Sequence, residues 1–247
     1  MPRRAVEKIS NSQADRAGNT FREIVSRELE GGREFPPANP ADVKALRDAI
    51  DVITKYRAMH EYPLTKVTLG VRQMIATELG PAASRPGQRF KRMPRILLKL
   101  HRFPHMRLSQ MEDIGGCRAV FQSLNDLRAV ERRIRRRWSH ARVTDYIEQP
   151  KADGYRCLHV VEKRDGRLIE VQLRTALQHT WAETIEAWST ILEWDLKDGD
   201  GPADLRQYFR IAADRLSRQD QGLDRDPALE QEFATVREQV RHYFGAA

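Results

Sequence analysis

Two runs of alternating apolar and polar residues, separated only by Asp165-Gly166, constrain this chain more than any other feature. Aspartate and glycine both accept the left-handed backbone that a two-residue turn demands, so residues 156–163 and 167–174 are predicted to form an antiparallel hairpin. With those two residues as the turn, Arg164 faces Arg167, Leu158 faces Leu173 and Val160 faces Val171, with Ile169 on the same side. That face is apolar throughout and belongs in a core. The other face sets His159 opposite Gln172 and Val161 opposite Glu170, with Arg174 further along. An acid, an imidazole, an amide and a guanidinium thus converge on one surface of a strand pair buried on its back. An ordinary hairpin turns such a face to solvent.

The rest of the chain alternates helix and strand signals. Helices are predicted at 42–62, 66–79 and 93–103, the last with Pro94 in its first turn, where a missing N–H costs nothing. Residues 114–121 form a buried strand with Gly115-Gly116 inside it, a place where another group can approach closely. A helix capped by Asn125 follows, with Leu127, Val130, Ile134 and Trp138 on one face and Arg128, Arg132, Arg133, Arg135, Arg136 and Arg137 over much of the rest. Another strand is predicted at 142–147. After Thr175 the chain returns to helix, where Leu177, Trp181, Ile185 and Trp188 make an apolar seam, and long polar helices are predicted at 203–218 and 227–244. The fold class is α/β (α+β): a mixed sheet flanked by helices. Residues 1–40 are a polar arm with one modest helical stretch at 21–29, residues 41–80 a helical layer, 81–195 the core and 196–247 a helical extension.

Composition narrows the function classes. With 40% hydrophobic and 32% charged residues in 247, the sequence fits neither a membrane protein nor a wholly disordered chain. No apolar run approaches a membrane span and the amino terminus has no signal core, so a cytoplasmic protein is expected. The two cysteines, Cys117 and Cys157, cannot build a disulfide framework and are assigned to packing. A net charge of +8 favours polyanionic partners. From Glu78 to Glu112 no acidic residue intervenes, while Arg85, Arg89, Lys91, Arg92, Arg95, Lys99, Arg102 and Arg107 all fall there. Beyond that polycation stands Asp113, a second carboxylate opening the glycine-bearing strand. Two carboxylates on neighbouring strands facing a polycation suit one task, which is to hold Mg²⁺ against a polyphosphate.

These residues resemble the RelA/SpoT alarmone synthetase family. The run Asp113-Ile-Gly-Gly-Cys-Arg118, the segment from Asp145 to His159 containing Lys151 and Asp153-Gly-Tyr155, and Glu170-Val-Gln-Leu-Arg-Thr175 follow that family's successive motifs in order and spacing. Arg89-Phe-Lys91 and Lys99 match its upstream element, so the resemblance covers about residues 85–190. It implies a nucleotidyltransferase-like sheet and transfer of pyrophosphate from ATP to a ribose 3′-hydroxyl with release of AMP. Arg89 and Arg118 would stack on adenine, a use of planar guanidinium that lysine cannot copy. Lys91, Lys99 and Arg95 would hold ATP phosphates, and Asp113 and Glu170 would bind Mg²⁺, with Glu170 also activating the hydroxyl. Tyr155 would stack on the acceptor base, and Lys151, Arg156, His159, Gln172 and Arg174 would line the acceptor side. His179, Trp181 and Glu183 would brace the site. Plainer roles stand beside these: Tyr155 as a turn tyrosine, Lys99 as a solvated helix lysine, Arg118 as a strand arginine paired with a surface acid.

This sequence departs from the family's common pattern at Arg95, where many members carry serine, and at Asp153, where many have asparagine. None of its histidines precedes an aspartate, so the metal pair of the hydrolase partner domain is not expected. Tyr56-Arg-Ala-Met-His60-Glu-Tyr-Pro-Leu64, the Asp-Ile-Gly-Gly-Cys-Arg form and Gln178-His-Thr-Trp-Ala-Glu183 are similar to the toxic small alarmone synthetases of toxin–antitoxin systems. That similarity implies a growth-inhibiting toxin with a cognate antitoxin as partner, whose acceptor is the 3′ end of tRNA or a guanosine or adenosine nucleotide. The charge of +8 and the arginine-faced helix favour tRNA. A non-catalytic nucleic-acid binder is the third reading, and it leaves Asp113 and Glu170 without a task.

Overall fold

The structure is a computed structural model that describes residues 8–31 and 37–245. Its helices are α1 (Asn11–Glu30), α2 (Pro40–Ala58), α3 (Glu61–Leu79), α4 (Met93–Arg102), α5 (Leu124–Arg137), α6 (Ala176–Ile191), α7 (Ala203–Asp220) and α8 (Pro227–Val240). Five strands, β1 (Gly87–Phe90), β2 (Gly115–Phe121), β3 (Arg142–Asp145), β4 (Leu158–Arg164) and β5 (Arg167–Thr175), form one sheet in the order β1-β2-β5-β4-β3. This is the expected mixed α/β class. No helix among the described residues is long and apolar enough to cross a membrane.

The hairpin is β4 and β5, turning on Asp165 at φ 50° and Gly166 at φ 76°, the paired positive angles of a tight hairpin turn. Leu158, Val160, Ile169, Val171 and Leu173 are all fully buried, so the apolar face is core, as its pattern dictates. The chain divides into two compact units, one of Met1–Gly70, Gly87–Cys117 and Val161–Val171, the other of Val71–Pro86, Arg118–Val160 and Gln172–Ala247.

In the first unit the described part of the supposed arm is a packed helix. A capping box starts α1, with Ser10 accepting from the Gln13 N–H and Gln13 bonding back to the Ser10 N–H. Ala14, Ala17, Phe21 and Ile24 then pack with Leu46, Ala49 and Ile53 of α2 and Ile96 and Leu100 of α4. Small residues make that face, so its period is faint in the sequence. Polar groups of the segment are also in use: Arg22 donates to the carbonyls of Leu100 and Met106, and Asp15 accepts from the Ser109 N–H and hydroxyl. Helix α3 starts earlier than expected, taking Pro63 into its first turn. Strand β1 was not expected; four residues with no apolar alternation gain strand geometry by lying beside β2 at the sheet edge.

His60, just before α3, is 1% exposed, and its Nδ1 lies 3.0 Å from the Tyr56 carbonyl. Burial pushes its pKa from 6.5 down to about 4. Because the unfolded chain protonates first, the stability His60 contributes is complete above pH 6.5 and is lost as pH falls from there toward 4. Between pH 7 and 4.5 the wild type is expected to lose about 2 to 3 kcal/mol more unfolding free energy than His60→Gln. Denaturant titrations at the two pH values check this, and equal losses in both proteins would refute it.

In the second unit, Trp181, Ala182 and Ile185 of α6 pack with Leu205 and Phe209 of α7 and Val236 and Val240 of α8, around Tyr155 and Cys157. The Trp181 indole N–H donates to the Phe209 carbonyl at 2.8 Å. Trp181, Ile185 and Trp188 of the expected α6 seam thus pack in this cluster, whereas Leu177 does not, and Ala182 joins them. Helix α5 is capped by Ser123 rather than Asn125, since the Ser123 hydroxyl accepts from the Asp126 N–H. Its arginines are largely occupied: Arg128 pairs with Glu131, Asp145 and Glu148, Arg133 and Arg136 with Glu78, and Arg135 with Glu131. That face is a self-compensated ion network more than a track for phosphates.

Candidate active site

The first unit gathers a carboxylate and two ammonium groups. Asp113 lies just before β2, Lys91 just after β1, and Lys99 on the last turn of α4. Lys91 Nζ is 2.8 Å from Asp113 Oδ2 and Lys99 Nζ 3.1 Å from Oδ1, with all three side chains between 19% and 28% exposed. Burial alone would raise the Asp113 pKa, but the charges and hydrogen bonds of Lys99 and Lys91 outweigh it, holding the carboxyl below the usual range. The strand end that carries Lys91 is itself fixed, because its amide donates to the Ile114 carbonyl and its own carbonyl accepts from Arg57 Nε at 2.7 Å. Arg95 stands one turn before Lys99 on α4, and both Arg95 and Arg89 of β1 are exposed.

Glu170 is half-buried on β5, on the side opposite Ile169 and Val171. Gly116 of β2 faces it closely: a Cβ at Gly116 would lie 3.0 Å from the Glu170 carbonyl oxygen and 3.8 Å from its Cβ. The second glycine of the Gly115-Gly116 pair is thus small because β5 passes there. Burial raises the thiol of Cys117, next in line, to about 12, so it is an inert packing group.

Asp113 and Glu170 offer hard oxygen donors, and among the described residues no three His, Cys, Asp or Glu side chains gather into a metal cage. Such a donor set fits Mg²⁺, which keeps much of its water and binds one or two carboxylates together with substrate phosphates.

The second unit carries a polar chain centred on Tyr155. Its hydroxyl lies 2.8 Å from His159 Nε2 and accepts from Arg174 Nη2 at 2.9 Å. Arg174 also donates to Gln172 Oε1, which accepts from Arg118 Nε, and Arg118 Nη1 donates to Glu183 at 2.7 Å. Arg174 is 2% exposed, a guanidinium sealed under this network. Burial would lower its pKa, but Tyr155 and Cys157 beside it raise it, so its charge is permanent.

Three cations surround the Tyr155 ring: Arg174 at 5.2 Å, Lys151 at 5.3 Å and Lys197 at 5.8 Å from its centroid. The ring itself is only 6% exposed, while Lys151 is exposed. Asp153 spends one carboxylate oxygen on the Tyr155 N–H at 2.9 Å, a role asparagine fills equally well.

The structure therefore places Lys91, Lys99 and Asp113 together, and Lys151, Tyr155, His159, Gln172, Arg174 and Arg118 together. Arg156 goes elsewhere: it donates to Asp214 of α7 at 2.8 Å and to the Gly154 carbonyl. Lys197 and Tyr146, which closes on His159 at 5.1 Å, were missed because their partners are set by tertiary packing.

Residues 88–190 match the family described as the region found in RelA/SpoT proteins. A chloroplastic protein of Arabidopsis thaliana, named as a probable GTP diphosphokinase, is 32% identical over 96 residues, or 38% of this chain and 13% of that one. The chain spans only this small share of the first curated relatives it matches. The small alarmone synthetase 2 of Bacillus subtilis aligns over 68% of this chain and 94% of its own, at 22% identity and a TM-score of 0.56. Small alarmone synthetase 1 of the same organism, bound to its product pppGpp, aligns over 75% and 94%, at 25% identity and a TM-score of 0.51. The chain therefore carries, over residues 88–190, the region found in RelA/SpoT proteins, set in the fold of the small alarmone synthetases.

Proposed function

We propose that the chain is an ATP-dependent pyrophosphokinase. The ribose 3′-oxygen of an acceptor attacks the β-phosphorus of ATP, the bond from that phosphorus to the bridging oxygen breaks, and AMP leaves with the bridging oxygen. The observation that supports this best is the carboxylate Asp113 held ionised between Lys91 and Lys99, in the same unit as Glu170 across from Gly116. Lys91 and Lys99 are placed to turn from Asp113 to the phosphates, with Arg95 and Arg89 on the same unit as further cations. Mg²⁺, when bound by Asp113 and Glu170, offsets charge on the transferred group. Glu170 accepts the proton of the attacking hydroxyl. In the second unit, Arg118 is held by Gln172 and Glu183, and the Tyr155 network receives the acceptor nucleoside.

We assign the 3′-terminal adenosine of tRNA as acceptor, which would make the protein a growth-inhibiting toxin held in check by an antitoxin. The net charge of +8 supports a polyanion. The self-compensated arginines of α5 favour the second reading, a guanosine or adenosine mononucleotide. Incubation with ATP labelled at the γ-phosphate, offering deacylated tRNA, GDP, GTP and ADP together, distinguishes them. Label is expected on tRNA, with KM for tRNA rising at least about tenfold between 50 and 200 mM salt. Label confined to mononucleotides overturns the tRNA assignment, and label on none of the four overturns the enzyme.

A further inference from the structure

The second unit contains a cavity of about 680 Å³ of which the sequence motifs supply only the edge from Lys151 to Asp153. Its apolar floor is Ile185, Leu196 and Phe209, and among the described residues four cations line it, Lys151, Lys197, Arg206 and Arg210, with the carboxylate of Asp153. The volume is that of a nucleotide-sized pocket. Arg206 and Arg210 are one turn apart on α7, so they share a face of that helix. Arg210 meets Asp214 only at 4.0 Å, among the described residues Arg206 forms no ion pair, and Lys151 acts on the Asp153 carboxylate through space alone. Lys197 is paired with Glu186 at 2.6 Å, and burial lowers the pKa of its ammonium against that acid's pull. Two of the lining cations, Lys151 and Lys197, also stand over the Tyr155 ring. The cavity thus opens beside the ring that the reading above gives to the acceptor base. Guanidinium groups with no close carboxylate around a roomy pocket have phosphate as their natural complement.

We propose that this cavity receives the phosphates on the 5′ side of the acceptor nucleotide, with Arg206 and Arg210 of α7 as specificity-determining contacts. The inference rests on the Tyr155 cluster being the acceptor side. Its ligand chemistry is the same whether those phosphates belong to the last linkages of a tRNA or to a free nucleoside di- or triphosphate. In either case α7 is more than an outer cover: it supplies half of the charge that selects the acceptor.

The test uses the full chain with Arg206→Ala/Arg210→Ala and Arg206→Lys/Arg210→Lys. Both positions are exposed, so the fold is expected to be kept, and thermal unfolding of each variant checks it. Binding of deacylated tRNA, GMP, GDP and GTP is measured at equilibrium without ATP, and transfer separately. The alanine pair is expected to weaken binding of the true acceptor 10- to 100-fold and raise its KM alike, with KM for ATP and kcat within twofold, and the lysine pair to restore most of it. If the phosphates come from tRNA, the slope of log affinity against log salt should fall by about 1 to 2. If they come from a mononucleotide, the loss should grow from GMP to GDP to GTP. Unchanged affinity in the alanine pair, or a wild type that binds none of these ligands, overturns the proposal. A wild type that binds but transfers nothing, with binding lost in the alanine pair, keeps the cavity assignment and overturns the enzyme instead.

Discussion

Glu170→Gln is expected to lower pyrophosphate transfer by about 10³-fold or more while leaving the unfolding temperature within about 3 °C of the wild type. The magnitude follows from what the amide loses. It cannot accept the proton of the attacking hydroxyl, a task worth roughly 10² to 10⁴ in rate, and it is a far poorer ligand for a hard cation. The small stability cost follows from placement. Glu170 is half-buried on the polar side of β5, while the same strand's Ile169 and Val171 hold the core, and glutamine keeps its volume. Asp113→Asn is the informative contrast. It too should abolish transfer, but it also strips the partner from Lys91 and Lys99, at 2.8 and 3.1 Å, and so should be destabilised. Steady-state transfer assays and thermal melts on both variants check the pair. Transfer by Glu170→Gln within tenfold of wild type would remove that carboxylate from the chemistry, and growth inhibition that survives in it would favour a binding protein over an enzyme.

Legibility in the sequence followed the range of the interactions involved. The hairpin was readable because Asp165 and Gly166 set its turn locally and a period of two sets its faces, so the burial of Leu158, Val160, Val171 and Leu173 needed no tertiary knowledge. Helix α1 was mostly missed because Ala14, Ala17 and Gly18 carry little hydrophobic signal, although they allow the close packing that makes the helix stable. Strand β1 was missed because its geometry is lent by β2. Among the candidate site residues, the types and spacings of Asp113, Glu170 and Tyr155 were visible, but their partners were not. Arg174 looks like a surface residue in an alternating strand and is sealed at 2% exposure by Tyr155 and Gln172. Arg156 looks like part of the same surface and is taken by Asp214, 58 positions away. The α5 arginines look like a free cationic stripe, yet Glu78, Asp145 and Glu148 compensate them from outside the helix. Charge counted along a chain overstates the charge left for a ligand, which is why the cavity beside α7, whose arginines lack close partners, carries more weight than the longer stripe.

Gly154→Ala is expected to be the most damaging small substitution in the second unit. Gly154 has φ +90°, a backbone conformation that costs an L-residue about 1 to 2 kcal/mol. Its missing side chain is also where α7 passes: a Cβ there would lie 2.8 Å from Ala213 Cβ, 3.2 Å from Arg210 Cα and 3.4 Å from the Arg210 carbonyl. Relief requires moving helix backbone, and overpacking of that kind costs about 1 to 3 kcal/mol. The two costs together predict a loss of about 2 to 5 kcal/mol, or roughly 5 to 15 °C in the unfolding midpoint. The substitution should reach the acceptor as well, because α7 carries Arg206 and Arg210 at the cavity wall and the loop carries Asp153 and Tyr155 on either side of Gly154. KM for the acceptor should therefore rise more than KM for ATP. A second change, Ala213→Gly, separates the causes. It removes the nearest clash but leaves φ, so the double variant should recover part of the stability and most of the acceptor KM, with a favourable coupling of about 1 kcal/mol or more in the cycle. Strict additivity of the two changes would mean that backbone strain alone fixes glycine at 154, and that the approach of α7 has no part in shaping the acceptor side.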